Sequence, residues 1–165
     1  STTALRCCLN NKTNKMPRVR VILGSRSDLA ACEPVKQVLA DFGVDYDFHV
    51  SSAHRKPEET ARLAKNAEAE GVQVIIAAAG MAAHLPGVIA SHTVVPVIGI
   101  PLASGGLGGL DALLSIAQMP PGVPVAGVAI GGAKNAALLA VQILALQDPE
   151  LRAKFRAYKE KLAEG

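Results

Sequence analysis

The sequence predicts a three-layer α/β/α sandwich of the flavodoxin-like type, with a five-stranded parallel sheet and a C-terminal helix. Short β-branched stretches alternate along the chain with longer helical patterns, as they do in parallel α/β folds. From residue 71 to residue 133 the sequence has one charged side chain, Asp111, as expected where parallel strands are covered on both faces. Gly, Pro or His interrupts this region every few residues, so we expect no membrane span.

Five stretches have the length and β-branched content of buried strands. They are VRVIL at 19–23, DYDFHV at 45–50, VQVIIA at 72–77, VVPVIGI at 94–100 and PVAGVAI at 124–130. Helical patterns lie between and after them, at 28–43, 56–71, 107–119, 134–147 and 149–164. Asp28 and Gly43 fit the N-cap and C-cap of the first helix, and Pro57 fits the first turn of the second.

Length and charge favour one neutral domain. A chain of 165 residues suits a single domain, which we place at residues 17–165. Residues 1–16 are expected to be a flexible N-terminal extension, since they lack the apolar core of a signal peptide. This extension holds three basic residues and no acid; the remaining chain has fourteen of each. With only 3% aromatic residues as well, the chain is not expected to bind nucleic acid.

The cysteines and histidines do not form a disulfide or metal pattern. Cys7 and Cys8 are adjacent in the extension, and Cys32 stands alone in a helical stretch. The four histidines have no convincing ligand spacing, so we expect no metal. A reducing compartment, the cytoplasm, fits this cysteine usage best.

The loops that follow the strands hold the polar residues. In such folds ligands bind beyond the carboxyl ends of the strands. The first loop, GSRSD (Gly24–Asp28), offers hydroxyls and helix N–H groups that suit an anion, and Asp28 could accept bonds from sugar hydroxyls. Alternatively, Ser27 or Asp28 merely caps the helix.

The second loop, SSAHRKP (Ser51–Pro57), pairs a proton carrier with a cation. His54 titrates near neutrality and can give and take a proton. Arg55 suits a phosphate through bidentate hydrogen bonds. The alternative is an ordinary surface loop in which both side chains are simply solvated.

The third and fourth loops are rich in small residues. The third, AGMAAHLPG (Ala79–Gly87), lets a ligand approach the backbone closely, and His84 is either a second titrating group or a buried, hydrogen-bonded ring. The fourth, PLASGGLGGLDAL (Pro101–Leu113), combines glycine with a hydroxyl. Its glycines are equally consistent with tight helix packing or a mobile loop.

The motifs GSRSD, SSAHRKP and AAHLPG occur in an order and spacing that resembles the N5-carboxyaminoimidazole ribonucleotide mutase family. The downstream stretch QMPPGVPVAGVAIGGAKNAALLA strengthens the resemblance, which covers about residues 17 to 162. This family, also called the catalytic subunit of class I phosphoribosylaminoimidazole carboxylase, acts in de novo purine (IMP) biosynthesis. Each motif alone is weakly specific, whereas the ordered set is highly specific.

The resemblance implies a ribonucleotide site on these loops. His54 is implied to be the catalytic acid and base, and the stretch from Gly80 to Leu85 to line the pocket for the imidazole and carboxylate. The implied substrate-binding residues are Ser25, Ser27, Asp28, Ser52, Ala53, Arg55, Gly80, Ala82, Ala83, His84 and Leu85. Met81 departs from the family pattern, because relatives often have a small residue there.

The resemblance also implies a homo-octamer with active sites where subunits meet, and a reaction that needs no cofactor. His54 would promote transfer of a carboxylate from the exocyclic nitrogen to C4 of the imidazole. A sister branch carboxylates aminoimidazole ribonucleotide directly with CO2, but Arg55 and AAHLPG favour the mutase branch. A non-catalytic, nucleotide-sensing flavodoxin-like domain is the alternative of another class, and it would leave His54 without a role.

Overall fold

A computed structural model describes residues 16–81 and 84–165, and its strands form one parallel sheet with the order β2-β1-β3-β4-β5. The strands are β1 (Val19–Leu23), β2 (Tyr46–Val50), β3 (Val74–Gly80), β4 (Val97–Leu102) and β5 (Ala126–Gly127). The helices are α1 (Leu29–Asp41), α2 (Pro57–Lys65), α3 (Leu85–Ser91), α4 (Leu110–Ala117), α5 (Ala133–Ala145) and α6 (Pro149–Ala163). The predicted flavodoxin-like fold is confirmed. The first fifteen residues of the expected extension lie outside the described residues.

The central strands are buried on both faces, which explains their continuous apolar sequence. Alternate residues of a strand point to opposite faces of the sheet. On one face, Val21 and Ile76 belong to a core with α1 and α5. On the other face, Ile22 and Ile75 belong to a core with α2 and α3. The sheet therefore forms the middle of three layers.

Several elements differ in their bounds from the sequence prediction: β4, expected at 94–100, is Val97–Leu102, and α2, expected to reach residue 71, ends at Lys65. Three further differences lie in or next to the loops at the edge of the sheet. The strand expected at 124–130 shrinks to β5, Ala126–Gly127, whose two residues are both exposed. β3 extends to Gly80, beyond its expected end. The third loop was expected to run through Gly87, but α3 begins at Leu85. This helix has only seven residues and includes Pro and Gly, so its sequence gives too little periodicity to predict it.

No helix in the described ranges combines the length and the apolar composition that a membrane-spanning segment needs.

A cluster of charged residues around the buried Arg20 joins β1, β2 and α2, and its acidic members are partly exposed. Arg20 of β1 is only 3% exposed, and its guanidinium donates to Asp47 at 2.7 Å and to the carbonyl of Leu63 at 2.9 Å. It also pairs with Glu70. Nε2 of His49 lies 3.2 Å from Asp47 without hydrogen-bond geometry. Because a buried guanidinium needs such partners, the cluster fixes α2 against the sheet.

A second polar contact closes the ends of the second loop. The hydroxyls of Ser51 and Thr60 lie 2.8 Å apart and are both buried. The N–H of Ser51 donates to the carbonyl of Leu23 at 2.8 Å, which continues the parallel pairing beyond β2. The first residue of the second loop is therefore tied both to the end of β1 and to the first turn of α2.

We predict that Asp47→Ala destabilises the protein by about 3 kcal/mol at neutral pH, because it removes a partner from the buried guanidinium of Arg20. Urea unfolding measures the change. Glu59→Ala is the matched control, since it breaks an exposed pair with Arg62 on α2 and should leave stability almost unchanged. Equal losses for the two variants would contradict a special role for the cluster.

The effect of Asp47→Ala should also depend on pH. Burial raises the pKa of Asp47, but the neighbouring His49 and Arg20 outweigh it and hold the pKa below its ordinary value. A carboxyl with a lowered folded pKa stabilises the protein fully above its unfolded pKa, about 3.9. The contribution is lost as the pH falls through the folded pKa. The gap between wild type and variant should therefore close in acid.

Candidate active site

A cavity of about 340 Å³ opens at the carboxyl edge of the sheet, where the first four loops meet. This volume is in the range of small-molecule sites, about 300–1,000 Å³. The lining residues are Gly24, Ser25, Ser27, Asp28, Ser52, Ala53, His54, Arg55, Ala79, Gly80, Met81, His84, Leu85 and Ser104. Ten of the implied site residues are therefore brought together here; Ala82 and Ala83 lie outside the described residues.

The first loop turns tightly and leaves its carboxylate available. The N–H of Gly24 donates to the carbonyl of Ala78 at 3.1 Å, which holds the loop against β3. Ser25, rather than Ser27 or Asp28, provides the side-chain cap: its Oγ accepts from the N–H of Ser27 in a short 3₁₀ turn. Asp28 precedes α1 but makes no capping bond. Asp28 thus occupies the predicted N-cap position of α1, but neither Asp28 nor Ser27 provides a side-chain capping bond.

The pKa of Asp28 lies above that of a free aspartate, so its surroundings favour the neutral carboxyl. Burial raises the pKa of Asp28, and a backbone hydrogen bond at Ser25 opposes the shift only in part. A bound sugar hydroxyl that donates to this carboxylate would replace the water it has lost. Cys32, close behind on α1, is buried, and burial raises the pKa of its thiol to about 12. This thiol is therefore unsuited to nucleophilic chemistry.

The second loop presents His54 and Arg55 at the mouth of the cavity. Both residues are exposed, and neither side chain forms a hydrogen bond or ion pair with the described residues. The backbone is ordered locally, since the N–H of Arg55 donates to Oγ of Ser52 at 3.3 Å. The loop therefore offers a titratable ring and a guanidinium, each free to contact a ligand.

The third loop is shaped by two close contacts. A Cβ at Gly87 would overlap the imidazole of His84, with Cδ2 2.9 Å away, so the ring lies directly on the first turn of α3. Gly80 likewise leaves no room for a side chain beside Ser104. Met81 adopts φ +52, a left-handed conformation that glycine reaches more easily.

Sequence reasoning missed Ser104 in the fourth loop. This residue follows the end of β4 by two positions, and it lines the cavity beside Gly80. The sequence predicts a loop that combines glycine with a hydroxyl here, but no motif distinguishes Ser104 from its neighbours. Its position immediately after a strand at the edge of the sheet was the available signal.

The cavity combines two titratable rings, one carboxylate, one guanidinium and several hydroxyls. The described residues include no group of three His, Cys, Asp or Glu side chains that could hold a metal ion. Phosphate and sugar recognition and proton transfer are the chemistry that this set supports directly.

The model of a known family, AIR carboxylase, matches residues 18–165. The chain belongs to the AIR carboxylase family. It is 57% identical over 145 residues to N5-carboxyaminoimidazole ribonucleotide mutase of Pyrococcus abyssi, covering 88% of this chain and 83% of that protein. It is 53% identical over 147 residues to the protein of the same name from Thermotoga maritima, covering 89% and 86%.

Solved structures agree with this AIR carboxylase assignment. A crystal structure of Treponema denticola PurE superposes with a TM-score of 0.82 and 32% sequence identity, covering 90% of this chain and 92% of that chain. The similarity extends over nearly the whole sheet and its helices, so the predicted family and the fold are both confirmed.

We predict that Gly87→Ala destabilises the protein by about 1–3 kcal/mol, because the added Cβ collides with the His84 ring. The control is the same substitution in a His84→Ala background. There the collision is gone, and alanine should stabilise α3 by up to about 1 kcal/mol. Thermal unfolding of the four proteins measures both changes. A loss of similar size in both backgrounds would show that the ring does not rest on Gly87.

Proposed function

We propose that the chain is an N5-carboxyaminoimidazole ribonucleotide mutase of de novo purine biosynthesis. The observation that carries the proposal is the cavity itself. It gathers the motifs GSRSD and SSAHRKP, together with His84 and Leu85 of AAHLPG, at one edge of the sheet. Relatives more than half identical to the chain have this name.

Binding begins at the first two loops. Arg55, free of protein partners in the described part of the chain, holds the substrate phosphate through its guanidinium fork. Ser25 and Ser27 add hydroxyls, and Asp28 accepts from the ribose hydroxyls. The polar residues Ser52 and Arg55 thus anchor the non-reacting part of the substrate. The imidazole is surrounded by Ala53, Gly80, His84 and Leu85.

His54 then moves one proton in two directions. In its protonated form it donates to the exocyclic nitrogen, the bond from this nitrogen to the carboxylate breaks, and CO2 is released. The bonding electrons remain on nitrogen, which leaves aminoimidazole ribonucleotide with a nucleophilic C4. C4 attacks the same CO2, and neutral His54 removes the C4 proton so that the ring becomes aromatic again. The histidine ends in its starting form, and no other reagent is consumed.

Retention of CO2 depends on the cavity walls. CO2 is small and has no strong hydrogen bonds to offer, so an apolar surface competes well with water for it. Ala79, Gly80 and Leu85 provide such a surface beside the imidazole. Ala82 and Ala83, from the same motif, are proposed to complete it.

The quaternary structure proposed for this enzyme is a homo-octamer in the cytoplasm, with residues 1–16 outside the catalytic domain. The region almost without charge supports the assembly, since α4 and the segment around it expose apolar side chains that water would solvate poorly. These side chains belong to Leu107, Leu110, Leu114 and Ile130, which are 39–63% exposed. They lie on the fourth loop, on α4 and after β5, close to the cavity.

The decisive test follows product formation from N5-carboxyaminoimidazole ribonucleotide without ATP or bicarbonate. Wild type should form the C4-carboxylated product. The His54→Asn variant should fold and bind the substrate, but its turnover should fall by about 10²- to 10⁴-fold. Arg55→Lys is the comparison variant and should chiefly raise KM. If His54→Asn stays within a few-fold of wild type, His54 is not the proton carrier. Efficient use of aminoimidazole ribonucleotide with bicarbonate, and none of the N-carboxy compound, would instead indicate direct carboxylation.

The proposed octamer can be tested separately from the reaction. Light scattering at micromolar concentration should give eight times the 17.0 kDa of one chain. Leu114→Arg should dissociate the assembly, because it places a charge on the exposed apolar face of α4. Leu162→Arg is the control and should leave the assembly intact, because it changes a leucine on α6 that is 59% exposed, compared with 49% for Leu114. A monomeric wild type would contradict the proposed octamer.

A further inference from the structure

The hydroxyl of Ser104 is buried in an unusual setting. Its Oγ is shielded from water, and it has no hydrogen-bond partner among the described residues. The residue nevertheless lines the cavity that holds His54 and Arg55. Removing a hydroxyl from water without giving it a hydrogen-bond partner costs free energy. Buried polar groups in native proteins are therefore usually hydrogen-bonded to protein, water or ligand.

The position of this hydroxyl is set by the neighbouring strand. Gly80, the last residue of β3, pairs in register with Leu102 of β4, which lies two residues before Ser104. A Cβ at Gly80 would overlap Oγ of Ser104 and lie 3.0 Å from its Cβ. The absence of a side chain at Gly80 therefore allows the hydroxyl to reach the wall of the cavity.

The strand order places Ser104 opposite the phosphate-binding loop. β2, which leads to His54 and Arg55, is at one end of the sheet order, whereas β4 lies beyond β1 and β3. A ligand whose phosphate is held by Arg55 thus extends over Gly24 and Gly80 toward Ser104. The part of the ligand near Ser104 is then the part farthest from its phosphate.

We infer that Ser104 is a further substrate-binding residue: rotation about its Cα–Cβ bond turns the hydroxyl from its buried position against Gly80 into the cavity, where it donates a hydrogen bond to the carboxylate on the imidazole of the ribonucleotide. This inference rests on the proposed function and assigns a contact to the fourth loop. The hydroxyl that lacks a partner in the described protein gains one when the ligand binds. A hydroxyl forms a stronger hydrogen bond with an ionised carboxylate than with a neutral acceptor.

The test compares two ribonucleotides that differ only in the carboxylate. Calorimetry gives the Kd of wild type and Ser104→Ala for C4-carboxylated aminoimidazole ribonucleotide and for aminoimidazole ribonucleotide itself. We expect Ser104→Ala to bind the carboxylated compound roughly tenfold more weakly, about 1.4 kcal/mol, and the uncarboxylated one within twofold of wild type. Ser91→Ala is the matched control, because the Ser91 hydroxyl bonds to the carbonyl of Val88 on the surface of α3, and it should change neither Kd.

Thermal unfolding without ligand separates binding from a structural role. Because the hydroxyl has no partner among the described residues, Ser104→Ala should unfold at the wild-type temperature or above it. A lower unfolding temperature with unchanged Kd values would overturn the inference and show a structural hydroxyl. Equal weakening for both ribonucleotides would also overturn it, since the contact would not involve the carboxylate. If wild type binds neither compound and has no mutase activity, the proposed function itself fails.

Discussion

The parallel pairing of the strands, continued by single backbone hydrogen bonds into the loops, is the constraint on which the cavity depends. The N–H of Ser51 donates to Leu23, and that of Gly24 donates to Ala78, in each case just past a strand end. Because all strands point the same way, the first four loops leave the sheet at one edge. Residues far apart in sequence, such as Asp28 and Ser104, consequently line one space.

The rest of the structure keeps these loops in position. Arg20 and its acidic partners tie α2 to the sheet, and the contact between Ser51 and Thr60 closes the second loop from below. Glycine acts at the other side, where Gly80 and Gly87 allow Ser104 and His84 to approach more closely than any side chain would permit. Polar contacts therefore hold α2 and the second loop in place, and the two glycines give Ser104 and His84 the space they occupy.

The sequence predicted the fold well where periodicity and burial agree, and less well where elements are short. β1 is buried on both faces and was located without error, whereas the seven-residue α3 and the two-residue β5 depend on neighbours that a sequence pattern does not reveal. Most residues that line the candidate cavity could be predicted because motifs after parallel strands meet at one edge of the sheet. Ser104 had one sequence signal, its position just after β4, whereas its contact with Gly80 on the neighbouring strand is visible only in the structure.

A crystal structure of the protein with C4-carboxylated aminoimidazole ribonucleotide bound tests the proposed active site most directly. We expect one ligand across the cavity, with its phosphate at the guanidinium of Arg55 and its imidazole between His54 and Gly80. Electron density for the ligand at another surface, such as the groove between α5 and α6 beside Arg156, would contradict it. So would a ligand in the cavity whose imidazole lies out of reach of His54.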